Sequence, residues 1–304
     1  MLQSEGAIGR EMDTHLVIGA SGLIGGQLLR SVTLSGFDAV GTYHSHAVPG
    51  ARQLDIRDPS QVGSLVAELR PSTVYLAAAL GNADYCELHP KEGYATNVTG
   101  TRNVVQAANR AGAKLVYFST DYVFDGKSGP YREEDTLNPI CEYGRQKLIA
   151  EHHISLYMRD YVIVRTTVVY GWERQRKNFV CRLLDTLKKG QELKAPVDQV
   201  GSPTYAPNLV EAVLGLVASE AQGAYHVVGH ERVSRYEFAR EAARVFGLSE
   251  NLIQPVTTRE LSQIAPRPLN AGMLIDKVEA KLQMGLLGYR EGLRTMARDK
   301  EEMA

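Results

Sequence analysis

At 304 residues, 44% hydrophobic and 23% charged, the chain is long enough for a large core and a second lobe, with ordinary globular composition. Its formal net charge of −1 speaks against a nucleic-acid or membrane surface, and no apolar stretch reaches the ~18 residues of a transmembrane helix. Three cysteines, Cys86, Cys141 and Cys181, are an odd count without Cys-x-x-Cys spacing, which argues for a reduced, cytoplasmic compartment and against zinc. The histidines of "HSH" (44–46) and "HH" (152–153) lack ligand-spaced partners, so they read as surface groups and no metal is expected.

Residues 1–13 have no apolar core and read as a disordered lead-in, not a secretory signal. Residues 14–19, "THLVIG", are a buried strand ending in glycine. Leu23, Ile24, Leu28, Leu29 and Val32 then share one helix face over 22–35. Segments 37–43 and 51–56 are strand-like. Asp58 as N-cap and Pro59 in the first turn open a helix to about Arg70. A strand at 73–79, a long helix at 91–111, a strand at 113–119, a helix at 142–158 and a strand at 161–167 follow. Short apolar strands alternating with helices predict an α/β fold with a doubly wound parallel sheet, a Rossmann domain over 14–170. Beyond it the alternation loosens. Helical patterns at 178–189, 207–219 and 234–246, parted by Pro- and Gly-containing segments, predict a smaller C-terminal lobe over 171–304, with some segments returning to the core.

Gly19, Gly22 and Gly25 follow the first strand at G-x-x-G-x-x-G spacing. Glycine permits the sharp turn and lets a diphosphate approach a helix N-terminus, where free N–H groups and the dipole favour anions. Strand, loop and helix in that order are the context this dinucleotide signature requires. An acid at the end of the second strand would hold the adenosine ribose and favour NAD(H). That strand ends instead in Tyr43, His44 and Ser45, groups suited to a 2′-phosphate. NADP(H) is therefore favoured and NAD(H) stays open, because no arginine sits at the strand end and Arg52 is near only in sequence.

The fifth strand turns polar at Ser119, Thr120 and Asp121, and the next helix carries Tyr143 and Lys147 on one face at i and i+4. A phenol exchanges protons poorly at neutral pH, and a neighbouring ammonium is expected to lower its pKa. A strand-end hydroxyl can hold a carbonyl. The set suits hydride transfer from nicotinamide to a ketone, with tyrosine supplying the proton. Tyr-x-x-x-Lys alone is common on solvated helices. The glycine loop and the intervening "STD" make the combination specific.

The stretches "GASGLIGGQL", "LDIRD", "STDYVFDG", "PYREEDTLNP", "YGRQKLIAE", "VVYG", "QVGSPTY" and "APRPLNAGMLIDK" resemble an extended short-chain dehydrogenase/reductase, more narrowly the dTDP-4-dehydrorhamnose reductase family, from about residue 14 to 297. The resemblance implies an NAD(P)H-dependent reductase of a 4-keto-6-deoxy sugar nucleotide. Thr120 and Asp121 would line the site, with Thr120 on the substrate carbonyl. Tyr143 would be the general acid, and Lys147 would hold the nicotinamide ribose. Gly19, Ser21, Gly22, Leu23, Ile24 and Gly25 would meet the diphosphate. Asp55 and Ile56 would lie against the adenine, and Ala77 and Ala78 along the cofactor. Asn178 and Phe179 would meet the sugar nucleotide, and Arg267 its phosphates. Asn97 would be a structural helix asparagine.

Three departures from the family pattern concern the substrate. Gln146 replaces the hydroxyl of Tyr-Gly-x-[Ser/Thr]-Lys. Cys141 and Glu142 precede the tyrosine. Trp172, Arg174, Arg176 and Lys177 crowd the loop before Asn178, where a basic cluster would serve a phosphorylated substrate or simply be solvated. Tyr122 after Asp121 speaks against a 4,6-dehydratase, and Val123-Phe124-Asp125-Gly126 against an epimerase. "DYVFDG", "PYREED" and "RP.N" also resemble the regulatory β subunit of methionine adenosyltransferase, a dinucleotide-binding, non-catalytic partner of another enzyme. Its partners would thus be a small-molecule sugar nucleotide, a second copy in a homodimer, or a partner enzyme on that regulatory reading.

Overall fold

The computed structural model describes residues 13–302; apart from Asp13, the expected lead-in lies outside the described residues. Strands β1 (Thr14–Ile18), β2 (Asp38–Tyr43), β3 (Arg52–Gln53), β4 (Thr73–Leu76), β5 (Lys114–Thr120) and β6 (Tyr161–Thr166) join an edge strand, Gly223–His226, in one seven-stranded sheet. Its order is Gly223–His226, β6, β5, β4, β1, β2, β3, and every pairing is parallel. The doubly wound parallel sheet expected from the sequence is present.

Strand side chains alternate between faces, and both faces are covered. Val17, Tyr75, Val116 and Val164 pack with Leu28 and Val32 of helix α1 (Leu23–Leu34) and with Leu209, Val213 and Leu216 of the Ala206–Ala218 helix. Leu16, Ile18, Leu76, Leu115 and Ile163 pack on the opposite side. Their partners are Val62 and Val66 of helix α2 (Pro59–Leu69), Val104 and Ala108 of the Thr101–Ala111 helix, and Ile154 of the Glu142–Tyr157 helix. A third core gathers Tyr170, Val180, Leu184, Phe238, Ala242, Leu293 and Met296 from the chain after β6.

Asp58 caps α2 as its sequence suggests, accepting from the Ser60 and Gln61 amides at 2.9 and 3.2 Å. Two local expectations differ. The strand expected over 51–56 keeps only Arg52–Gln53, although Leu54 and Ile56 remain buried. The single helix expected over 91–111 is a helix at Pro90–Tyr94, a π-helical stretch at Ala95–Gly100 and an α-helix at Thr101–Ala111, preceded by a short helix, Ala83–Leu88. The wide turn accompanies side-chain competition for the backbone: the Thr101 hydroxyl donates to the Asn97 carbonyl at 2.8 Å, and π-turns of this kind recur at functional sites.

Candidate active site

Gly19 leaves β1 at φ +97°, and a Cβ there would stand 2.7 Å from the Ala78 backbone nitrogen. A Cβ on Gly25 would stand 2.2 Å from the Gly19 carbonyl oxygen. The β1–α1 crossing is that close, so both positions require glycine. Gly22 is the N-cap of α1, with no side-chain cap and no acid in the first turn, which Leu23 and Ile24 open. Amide donors at that end therefore remain for an anion. The Ser21 carbonyl accepts from Gln175 Nε2 at 2.7 Å, which ties this loop to the 172–178 segment. Ala77 and Ala78 both donate to the Ile18 carbonyl at 2.9 Å, so the end of β4 lies beside the glycine turn. These residues form a cradle that fits a dinucleotide.

At the far end, Tyr43 closes β2, and Ser45 Oγ lies 2.8 Å from His44 Nδ1. The sequence placed no arginine here; the structure brings one. Arg57 donates to both Asp55 carboxylate oxygens, at 2.7 to 3.0 Å, and its Nη2 lies 3.4 Å from His44 Nε2. These hydrogen bonds hold the Asp55 carboxyl down at about 2. Arg52, the basic residue nearer in sequence, pairs with Glu68 at 2.7 Å. Ile56 is buried, and its Cδ1 would lie 2.7 Å from a Cβ on Gly100.

Thr120 ends β5 with its hydroxyl donating to Asp121 Oδ1 at 3.0 Å. Burial pushes the Asp121 carboxyl up to about 6, against hydrogen bonds from Thr167 and Thr120 and the charge of Arg235. Tyr143 sits in the first turn of the Glu142–Tyr157 helix, edge-on to Tyr122 at 5.6 Å between ring centroids. Burial raises the Tyr143 phenol above its ordinary value, and a hydrogen bond with Thr120 opposes the rise. Lys147 is buried beneath; its Nζ donates to the Phe118 carbonyl at 2.6 Å and lies 4.0 Å over the Tyr117 ring. Burial lowers Lys147 to about 7, with Glu151 opposing. The expected lowering of the phenol by the lysine is thus not the net outcome: desolvation wins, and Tyr143 keeps its proton. Glu151 is held in turn by Arg165, at 2.8 Å, and by the Ser119 hydroxyl.

Gln146, the departure from the family's hydroxyl, is buried. Its Oε1 accepts from Asn97 Nδ2 at 2.9 Å and its Nε2 donates to the Pro90 carbonyl at 3.3 Å. Asn97 also accepts from the Leu80 amide at 2.8 Å and donates to the Leu80 carbonyl at 3.2 Å. Gly93 makes room for the amide, since a Cβ there would lie 2.7 Å from Gln146 Oε1.

Of the three residues expected to meet the sugar nucleotide, Asn178 caps the Phe179–Lys188 helix, accepting from the Cys181 amide at 3.2 Å, and donates to the Gly171 carbonyl and Glu173. Phe179 stacks on Phe238 at 5.8 Å. Arg267 pairs with Asp84 at 2.8 Å and lies over the Tyr122 ring at 5.9 Å. The basic loop is partly neutralised, because Arg176 pairs with Asp185. Cys141 is the N-cap of the Glu142–Tyr157 helix, and the Glu142 amide donates to Glu87.

Two groups at this site have no sequence signature. Val168 has φ +46°, a strained conformation for a β-branched residue, and it shares a small cleft with Asp121, Tyr122, Gln199 and Arg235. Arg235 reaches that cleft from the start of a helix more than ninety residues beyond Tyr143. A larger hollow bounded by Asp125, Ser128, Tyr131 and Asn138 contains none of these groups; Asp125 there accepts from Tyr131 and Asn138. Among the described residues no cluster of His, Cys, Asp and Glu could hold a metal, and no helix is long and apolar enough to cross a membrane.

Residues 13–302 match the family described as RmlD substrate binding domain. The chain is 37% identical over 258 residues to the spore coat polysaccharide biosynthesis protein SpsK of Bacillus subtilis, covering 84% of this chain and 87% of that one. It is 30% identical over 298 residues to methionine adenosyltransferase 2 subunit beta of Xenopus tropicalis, covering 94% and 88%. Among solved structures, a dTDP-4-dehydrorhamnose reductase of Bacillus anthracis in complex with NADP superposes with a TM-score of 0.88 at 31% identity, covering 95% of this chain and 99% of that one. The chain therefore belongs to the RmlD substrate binding domain family, in keeping with the dTDP-4-dehydrorhamnose reductase resemblance of its sequence.

Proposed function

We propose that the protein is an NAD(P)H-dependent reductase of a 4-keto-6-deoxy sugar nucleotide. The observation that carries the reading is the convergence of Thr120, a protonated Tyr143 and a buried Lys147 at the end of β5, in a fold whose dinucleotide cradle lies at the same ends of the parallel strands. The nicotinamide would supply the hydride. Thr120 hydrogen-bonds the ketone oxygen and orients it. Tyr143 holds a proton for that oxygen, and its raised pKa keeps the proton in place until negative charge develops on the substrate. Lys147, whose pKa burial lowers to about 7, would hold the nicotinamide ribose and stabilise the phenolate left behind. Residues 14–170 hold the cofactor and the later chain holds the sugar nucleotide.

NADP(H) is the favoured cofactor. Arg57 beside His44 and Ser45 supplies the cation that a 2′-phosphate wants, and the Bacillus anthracis relative was solved with NADP. Retention of Thr120, Tyr143 and Lys147 supports catalysis over the regulatory-subunit alternative.

The test is loss of reduced-nicotinamide absorbance with dTDP-4-keto-6-deoxyglucose, for wild type and Tyr143→Phe. Wild type turns over, and the variant loses about 10²–10⁴-fold in kcat while still binding NADPH. Equal turnover by the variant overturns the role of Tyr143.

A further inference from the structure

The cleft beside Asp121 contains a cation with no hydrogen-bond or ion-pair partner among the described residues. The Arg235 side chain reaches over the Phe179 ring, 5.5 Å from its centroid, into the cleft shared with Asp121, Tyr122, Val168 and Gln199. Among the described residues its guanidinium makes no hydrogen bond and no ion pair. Arg182, exposed in the Phe179–Lys188 helix, is likewise unpaired among them, and both Arg182 and Arg267 add repulsion at Arg235. Burial holds the Arg235 pKa below its ordinary value; Tyr122 and Asp121 oppose the fall, and the repulsion from Arg182 and Arg267 is the smaller contribution.

Arg235 is half-buried, and a guanidinium drawn partly out of water without a hydrogen-bond partner is costly. Arg267 is already met by Asp84. Arg182, Arg235 and Arg267 against Asp84 and Asp121 leave one positive charge in excess, and two when Asp121 is protonated. A diphosphate diester carries two negative charges, and a guanidinium fork matches phosphate oxygens.

We infer that Arg235, assisted by Arg182, is the anion subsite that takes the diphosphate of the substrate, at the mouth of the cleft that holds Asp121. This rests on the sugar-nucleotide reading and names the residues that would read its phosphates. The more modest alternative is that Arg235 only stacks on Phe179 and screens Asp121.

The two are separated with wild type, Arg235→Gln and Arg182→Gln. Inorganic pyrophosphate binding is measured by calorimetry with the dinucleotide site saturated by NADP, and KM and kcat are measured on the keto-sugar nucleotide. Pyrophosphate affinity is expected to fall about tenfold in Arg235→Gln and about threefold in Arg182→Gln. KM should rise more than kcat falls, and NADPH affinity, which reports folding, should be unchanged. Wild-type pyrophosphate affinity and KM in a folded Arg235→Gln overturn the subsite even if turnover is normal. Loss of pyrophosphate binding in Arg235→Gln, with no turnover by wild type, keeps the subsite and overturns the reductase reading. If Arg235→Gln fails to bind NADPH at all, the exposed Arg182→Gln decides by the same measurement, and unchanged pyrophosphate affinity there overturns the proposal.

Discussion

Gly22 and Gly25 belong to one motif but are glycine for different reasons, and alanine at each separates folding from binding. A Cβ on Gly25 would meet the Gly19 carbonyl oxygen at 2.2 Å, the Gly19 carbonyl carbon at 2.7 Å and Ala20 Cα at 3.1 Å. All three are backbone, so no side chain can rotate away, and the β1–α1 turn itself must shift. Overpacking of this kind costs about 1–3 kcal/mol, roughly 2–10 °C in Tm for a protein of this size. The displaced turn also moves the amides that face a diphosphate, so NADPH affinity should fall at least about tenfold. At Gly22 the nearest atom to a new Cβ is 3.6 Å away and φ is −89°. Alanine there should cost less than about 1 kcal/mol, as a poorer N-cap, yet it narrows the approach to the helix end and weakens NADPH binding. Thermal melts and calorimetric titration of the two variants are the assay. Gly25→Ala with wild-type melting and wild-type affinity refutes the close-approach argument.

Arg57→Ala should shift cofactor preference toward NADH, raising the KM for NADPH about tenfold and leaving that for NADH within about threefold, a change worth roughly 1.4 kcal/mol; equal effects on both cofactors would remove Arg57 from the 2′-phosphate. Asp121 has a folded pKa raised from 3.8 to about 6. Its contribution is therefore fully present below about pH 4 and lost as pH rises through about 6. Asp121→Asn should remove up to about 3 kcal/mol of pH dependence across that window, and denaturant melts with parallel pH slopes for the two proteins would contradict it. Gln146→Ala leaves Asn97 Nδ2 without its shorter amide partner and should cost about 1–3 kcal/mol; an unchanged denaturation midpoint would show that the amide pair contributes nothing net.

The sheet was legible because its central strands, "HLVI", "VYL", "LVYF" and "VIV", are continuous apolar runs of the kind buried on both faces. Thr120, Asp121, Tyr143 and Lys147 were legible because each lies within a few residues of a strand or helix boundary that fixes its direction. Arg57 was not, because it reaches His44 only through the β2–β3 pairing of Tyr43 with Gln53, and linear distance from the end of β2 conceals that. Arg235 and the Asp84–Arg267 pair join segments of chain remote in sequence, and no local pattern announces them. The Ala83–Leu88 helix is six residues long, too short for a periodicity, and the π-helical turn depends on where the Asn97 and Thr101 side chains find partners.

The amide of Gln146 braces the helix that carries Tyr143 and Lys147. Through Asn97 it stitches the helix of Tyr143 and Lys147 to the Leu80 backbone, just beyond Ala77 and Ala78, and through Pro90 to the next helix. The registry between the Tyr143 phenol and the floor on which the cofactor would lie is therefore set when the chain folds. Little ordering entropy remains to be lost on that side when a ligand arrives, and a small error in phenol placement, which would slow proton transfer steeply, is prevented by contacts that never touch the substrate.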